Sequence, residues 1–285
     1  MSRTYQNEVA NIIDYRLADT PYGFPVRSPY RPNDEWLGNA ISFLGAAQTF
    51  GHLVHTPFPA LVGQALSLNA LNLGVAGAGP EFFSANERLI EDVNKTKCCV
   101  VQVMSGRSSS NRYFKQLDNT SIGRLETPTT VREKIQGHDA FGILRKELSQ
   151  EELQEVIDET LANYAASYAD LCAKIQVPKI LLWISVREPR YDRDFKFSSG
   201  LLGDFPQLVD DKTMEKLAPG FDATVTAVSR IGVGRKLWDP ERGEPFVVER
   251  TWGTLVKHDS LYSDPYLHLK AAEALVEKIV EMGIH

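Results

Sequence analysis

Five short apolar runs, at residues 41–44, 70–73, 98–104, 179–185 and 223–228, recur along this 285-residue chain. They are too short for buried helices, and most run directly into Gly, Ser or Pro, as strand ends in a buried parallel sheet do. Segments with helical spacing lie between them, at 59–68, 80–94 and 151–175, and a last one runs from Asp264-Pro265 to just before Gly283. Ser149 with Glu152 three residues on is a capping box for the longest of these. Asp, then Pro, then a distant Gly punctuate the last. Strands alternating with helices predict a three-layer α/β/α domain. Its sheet is mostly parallel and flavodoxin-like, with about five strands and right-handed crossovers.

Residues 1–39 are rich in Pro, Arg, Tyr and Asn and show little periodicity, so they read as an irregular arm packed on one domain spanning 40–285. Stretches 111–140 and 186–211 also lack periodicity and read as loop insertions. Hydrophobic content of 43% supplies a core without staples or metals. A formal charge of −6 and the lack of aromatic–basic interleaving argue against a nucleic-acid partner. No apolar run reaches membrane-spanning length and the N-terminus lacks an apolar signal core, so a cytoplasmic setting is expected, with the oligomeric state left open. Cys98, Cys99 and Cys172 read as buried free thiols. No ligand spacing suggests a metal, His52 and His55 included, and no cofactor is expected. GVAGAG, at 74–79, reads G-x-x-G-x-G and is rejected as a dinucleotide loop.

Ligands of open α/β sheets bind beyond the carboxyl ends of the strands. The first such turn lies in AISFLGAAQTFG, residues 40–51, where a strand enters Gly45 and a helix starts at once. Many hydrolases seat a nucleophile at such a turn, yet Ala46 and Ala47 can neither attack nor move a proton. The later turns carry LNLGVAGAGP, then VVQVMSGRSSSN, then Ser185-Val186-Arg187-Glu188, and the last helix opens in SDPYLHLKAAEAL.

This order of blocks resembles the SGNH (GDSL-like) hydrolase superfamily, whose members carry Gly-Asp-Ser, a later Gly, Gly-x-Asn and a near-terminal Asp-x-x-His. FLGAAQTFG, PFPALVGQAL, VVQVMSGRSSSN and ILLWIS are similar to those of an uncharacterised bacterial SGNH-like family, over residues 14 to 280. The resemblance implies an SGNH-like fold and a cleft lined by these blocks. The first block is degenerate, because Gly45 matches Gly but Ala46 and Ala47 fall where Asp and Ser belong. In the third, Gly106 matches while Ser108 stands where the oxyanion-hole Asn would be, with Asn111 three residues later. In the last, His268 falls on the base, but Asp264 lies four residues upstream instead of three.

Candidate catalytic residues are therefore His268 as base, Asp264 as its acid and Thr49 as the nearest hydroxyl to the lost nucleophile. Candidate oxyanion or ligand donors are Gln48, Gly77, Gly106, Ser105 and Asn111, with Arg107 as an anion clamp. Each has a structural alternative: Thr49 or Asp264 as a cap, His268 as packing, the glycines as turns, Arg107 as an exposed loop residue. His258-Asp259 is a second acid–base pair in a loop. Trp183 reads as core, and Trp238 and Trp252 as packing or a sugar platform. The expected ligand is a small molecule or glycan. The leading expectation is a protein acting on or binding a glycan-linked ester, with acyl or sulfuryl transfer in polysaccharide metabolism. The alternatives are a non-catalytic ligand-binding pseudo-hydrolase and a Thr49-dependent esterase.

Overall fold

The computed structural model describes residues 12–27, 29–31, 33–231, 233–239, 242–249, 255–258, 262 and 264–284. Two short strands, β1 (Leu17–Ala18) and β2 (Val26–Arg27), and helix α1 (Asp34–Gly38) precede the domain proper. There follow β3 (Ala40–Gly45), α2 (Ala47–Phe50), α3 (Phe58–Leu66), β4 (Asn69–Gly74), α4 (Pro80–Ser84), α5 (Glu87–Val93) and β5 (Cys98–Gln102). A 3-10 turn at Gly106–Ser108 leads to β6 (Phe114–Gln116), β7 (Ile122–Glu126) and β8 (Val131–Gln136), then α6 (Gly137–Glu147) and α7 (Gln150–Lys174). The chain continues through β9 (Lys179–Ser185), α8 (Ser198–Leu202), α9 (Asp211–Leu217), β10 (Ala223–Val228), four two-residue strands between Trp238 and Val256, and α10 (Pro265–Glu281).

The main sheet has the order β10-β9-β5-β3-β4, and every pairing in it is parallel. Relabelled in sequence order this is 2-1-3-4-5, the flavodoxin-like order whose crossover reverses between β3 and β5. The expected fold class holds. Side chains alternate between two cores, so Leu44, Cys99, Val101, Leu181 and Trp183 face the layer that includes α4, α5, α7 and α9. Ile41, Phe43, Cys98, Val100, Ile180 and Leu182 face α3 and α10. All three cysteines are free and buried.

Two readings change. The segment 80–94 is two helices, because Asn86 leaves α4 and caps α5 by accepting the Leu89 N–H at 3.1 Å. Residues 111–140 hold an antiparallel three-stranded sheet, β6-β7-β8, and the start of α6. The sequence shows no two-residue apolar period there, because β7 buries Gly123 and Leu125 but exposes Ile122, and β8 buries nothing fully. Phe114 and Leu125 join α6, α7 and α8 in a third core. Trp183 is fully buried and its indole N–H donates to the Arg187 carbonyl at 2.8 Å, whereas Trp238 is exposed. Trp252 and Asp259 lie outside the described residues. Among the described residues no helix is long and apolar enough to cross a membrane.

Candidate functional site

The turn after β3 is organised by a residue from the next strand. Gln102 ends β5, and its Oε1 accepts the Thr49 hydroxyl at 2.6 Å, the Ala46 N–H at 3.0 Å and the Thr49 N–H at 3.2 Å. Gly45 makes room for this contact: a Cβ there would lie 2.1 Å from Thr49 Oγ1 and 2.5 Å from Gln102 Oε1. Asn72 of β4 holds the other side, donating to the Thr49 carbonyl at 2.9 Å and accepting the Gly74 N–H at 3.0 Å. Thr49, Gln102 and Asn72 are all buried. Converging N–H and O–H donors of this kind stabilise an oxyanion in acyl transfer; here they carry the carbonyl oxygen of the protein's own glutamine. Ala47 is buried at the start of α2. Gln48 is also buried, with its carboxamide oxygen unpartnered among the described residues. Sequence reasoning missed Gln102, although a lone polar residue closing the apolar run CCVVQ was the available signal.

His268 and Asp264 serve two helix starts. Asp264 caps α10, accepting the N–H groups of Tyr266 at 2.8 Å and Leu267 at 3.4 Å. His268 is fully buried, and its Nδ1 accepts the Phe58 N–H at 3.1 Å, in the first turn of α3. Its ring stacks on Phe58 with centroids 5.8 Å apart. An accepting Nδ1 assigns the ring proton to Nε2, which has no partner among the described residues. Burial, with a smaller contribution from the Arg27 charge, pushes the imidazole down to about 3. Among the described residues no carboxylate hydrogen-bonds this ring.

The third block folds on itself. The Ser105 hydroxyl donates to Gln207 Oε1 at 2.9 Å and the Gly106 N–H to the Gln207 carbonyl at 2.9 Å. Asn111 closes its own turn, accepting the N–H groups of Tyr113 and Phe114, and donates to Thr160. Gly77 sits at φ +77°, a left-handed turn position that favours glycine, and a Cβ there would press within 2.8 Å of Ser121 Oγ in the β6–β8 insert.

Arg107 differs from its neighbours. Its Nε is buried without a hydrogen-bond partner, and it forms no ion pair among the described residues. Burial lowers its guanidinium below the ordinary range, offset in part by Tyr262 and Asp139, which lie in electrostatic reach. Gly137 opens α6 against the Arg107 backbone carbonyl, where a Cβ would approach to 2.7 Å. Tyr262 packs edge-on against His52, with ring centroids 4.6 Å apart, and Tyr15 hydrogen-bonds His52 Nδ1 at 3.3 Å. Burial pushes the Tyr15 phenol up to about 12. Thr49 and Gln48 share the first turn, and Arg107, Ser105 and Gly106 share the third. His268 and Asp264 stand apart at the bases of α3 and α10. His52 and His55 lie between α2 and α3 instead of on one helical face, and His55 approaches Asp239 at 3.9 Å. No group of three His, Cys, Asp or Glu among the described residues could hold a metal.

Residues 5–117 match the family described as a domain of unknown function, DUF6473. No curated protein sequence matches the chain. Among solved structures, it is similar to a carbohydrate esterase family 2 enzyme with a carbohydrate binding domain from Corynascus thermopiles (Myceliophthora fergusii), at 10% identity and a TM-score of 0.43, covering 92% of this chain and 70% of that one. A carbohydrate esterase whose active site displays divergent catalytic and non-catalytic binding functions aligns at 12% identity and a TM-score of 0.39, covering 93% of this chain and 69% of that one. A protein assigned to the lipolytic G-D-S-L family from Desulfitobacterium hafniense aligns at 10% identity and a TM-score of 0.37, covering 84% of this chain and 98% of that one.

Proposed function

We propose that this chain is a ligand-binding protein on an SGNH-like scaffold, without serine-type hydrolysis, and that Arg107 receives an anionic group of its ligand. A small carboxylated, phosphorylated or sulfated molecule or glycan would suit that residue. What carries the reading is the pairing of a filled donor nest with an unfilled cation. The donors of the first turn are spent on Gln102, while the buried Arg107 Nε is unpartnered and its guanidinium forms no ion pair among the described residues. A largely buried guanidinium is costly unless something supplies the opposite charge.

The catalytic alternatives fare worse on the same geometry. Thr49 Oγ1 would have to leave Gln102, and among the described residues it hydrogen-bonds no base. His268 bears its proton on the free nitrogen and would titrate only in strong acid, so it is poorly suited to accept a proton near neutrality. Gly106, Ser105 and Asn111 are occupied by Gln207, Thr160 and local backbone. The test pairs two measurements. Hydrolysis of a small aryl acetate is expected to stay at the buffer rate for wild type, Thr49→Ala and His268→Ala. Calorimetric titration with an oligosaccharide sulfate should show binding that its neutral parent lacks and that Arg107→Gln removes. Turnover by wild type that disappears in Thr49→Ala would overturn the proposal in favour of the esterase.

A further inference from the structure

The start of α6 brings a second titratable cation to Arg107. Gly137 lets the helix begin in contact with the Arg107 backbone, and its N–H donates to the Ser121 carbonyl at 2.9 Å. The next side chain is His138, half exposed and within electrostatic reach of the arginine. We infer that His138 is a further ligand-binding residue of the Arg107 site, and that an oxyanion bound there enters together with a proton taken up by the His138 imidazole. This inference rests on the reading of Arg107 given above.

The free site keeps that imidazole neutral near physiological pH. Burial disfavours its charged form, the Arg107 charge adds to this, and Asp139, whose Oδ1 lies 3.2 Å from His138 Nε2, opposes both. Asp139 sits on the same helix and Arg107 on the 3-10 turn packed against it. Tyr262, the other group in electrostatic reach of Arg107, packs edge-on against His52. An anion seated on Arg107 cancels the repulsion that Arg107 exerts on His138 and offers the imidazolium a partner. Binding then raises the affinity of His138 for protons, and by linkage acid raises the affinity for the anion. The event is non-covalent, with one anion and one proton bound and the proton drawn from the buffer. Phosphate, sulfate and carboxylate groups share the needed chemistry.

Inorganic sulfate is the cleanest probe, because its charge is constant from about pH 5.5 to about pH 8 and any pH dependence belongs to the protein. Its dissociation constant is expected to be roughly tenfold lower at the acid end for wild type. His138→Gln should keep the alkaline affinity and lose the dependence, while a surviving dependence would place the proton on another group and overturn the role of His138. Acetate and methyl phosphate, titrated in parallel at the alkaline end, separate carboxylate from phosphate ligands by rank. Sulfate binding that is equally strong at both pH values sinks the role of His138 and leaves Arg107 standing. Failure to bind sulfate, acetate and methyl phosphate at either pH removes the Arg107 reading itself.

Discussion

At the scale of single residues, the decisive events are substitutions of role. His268, which the sequence offers as a base, is a hydrogen-bond acceptor for the first turn of α3, a task that only the neutral ring can perform. Its folded-state value near 3 lies below the ordinary 6.5, so the unfolded chain binds the proton first. The stabilisation it brings is complete above about pH 6.5 and is lost as pH falls towards 3, by about 1.4 kcal/mol per pH unit. His268→Gln keeps an acceptor and removes the titration. Urea unfolding at about pH 7, 5.5 and 4 should therefore show wild type losing more stability than the variant, by that slope. Parallel pH profiles would mean that the ring is not buried as described. Gln102 is the complementary case. Gln102→Leu strands two N–H groups and a hydroxyl in the core and should cost about 2–4 kcal/mol, read from the shift in urea midpoint.

At the scale of elements, close approaches between turns and helix starts build the candidate site, and they explain what the sequence could and could not reveal. The five strands were legible because each is a short, mostly apolar run; four lie in the buried part of the sheet, and the edge strand β10 exposes only Thr224 and Thr226. The long helix α7 was legible from its capping box, which forms as the spacing of Ser149 and Glu152 requires. Gln102 was not, since its partners lie 53 and 56 residues away and become neighbours only through the parallel pairing of β3 with β5. The β6–β8 sheet was hidden because β7 places Gly123 at a buried position and Ile122 at an exposed one, and β8 lies largely in solvent, so no apolar alternation shows in the sequence. Gly137 was also invisible, as nothing in GHDAFG announces that α6 starts on the backbone of Arg107. Gly137→Ala tests that junction. The added methyl overlaps the Arg107 carbonyl and should cost about 1–3 kcal/mol. Sulfate affinity should fall with it, whereas Gly142→Ala, on the same helix where a Cβ would make only an ordinary contact with Ser198 Oγ at 3.6 Å, should leave affinity unchanged.

At the scale of the whole molecule, the N-terminal arm is continuous with the domain. Tyr22, Phe24 and Val26 belong to the same core as Leu44, Leu73 and Phe83, and Ile13 and Tyr15 pack with Phe50, Leu237 and Val248. Arg27 ties these parts together. Its guanidinium donates to the carbonyls of Phe50, Gly51, Val54 and His55 at 2.8–3.1 Å and lies over the rings of Tyr15 and Phe50. Burial without an ion pair among the described residues pulls it down to about 10, still charged at neutral pH. One side chain from the arm thus fixes the loop that carries His52 and leads into α3. Lysine could not span four carbonyls, since its single ammonium has three donors and no fork. Arg27→Lys should therefore lower stability by about 3 kcal/mol or more and speed amide exchange over residues 50–55. The parallel sheet should keep its slow exchange, because its ladder does not depend on the arm. A loss below about 1 kcal/mol, or exchange rising equally in β3 and β5, would show that the arm is a peripheral strap and that the loop 50–55 keeps its shape without it.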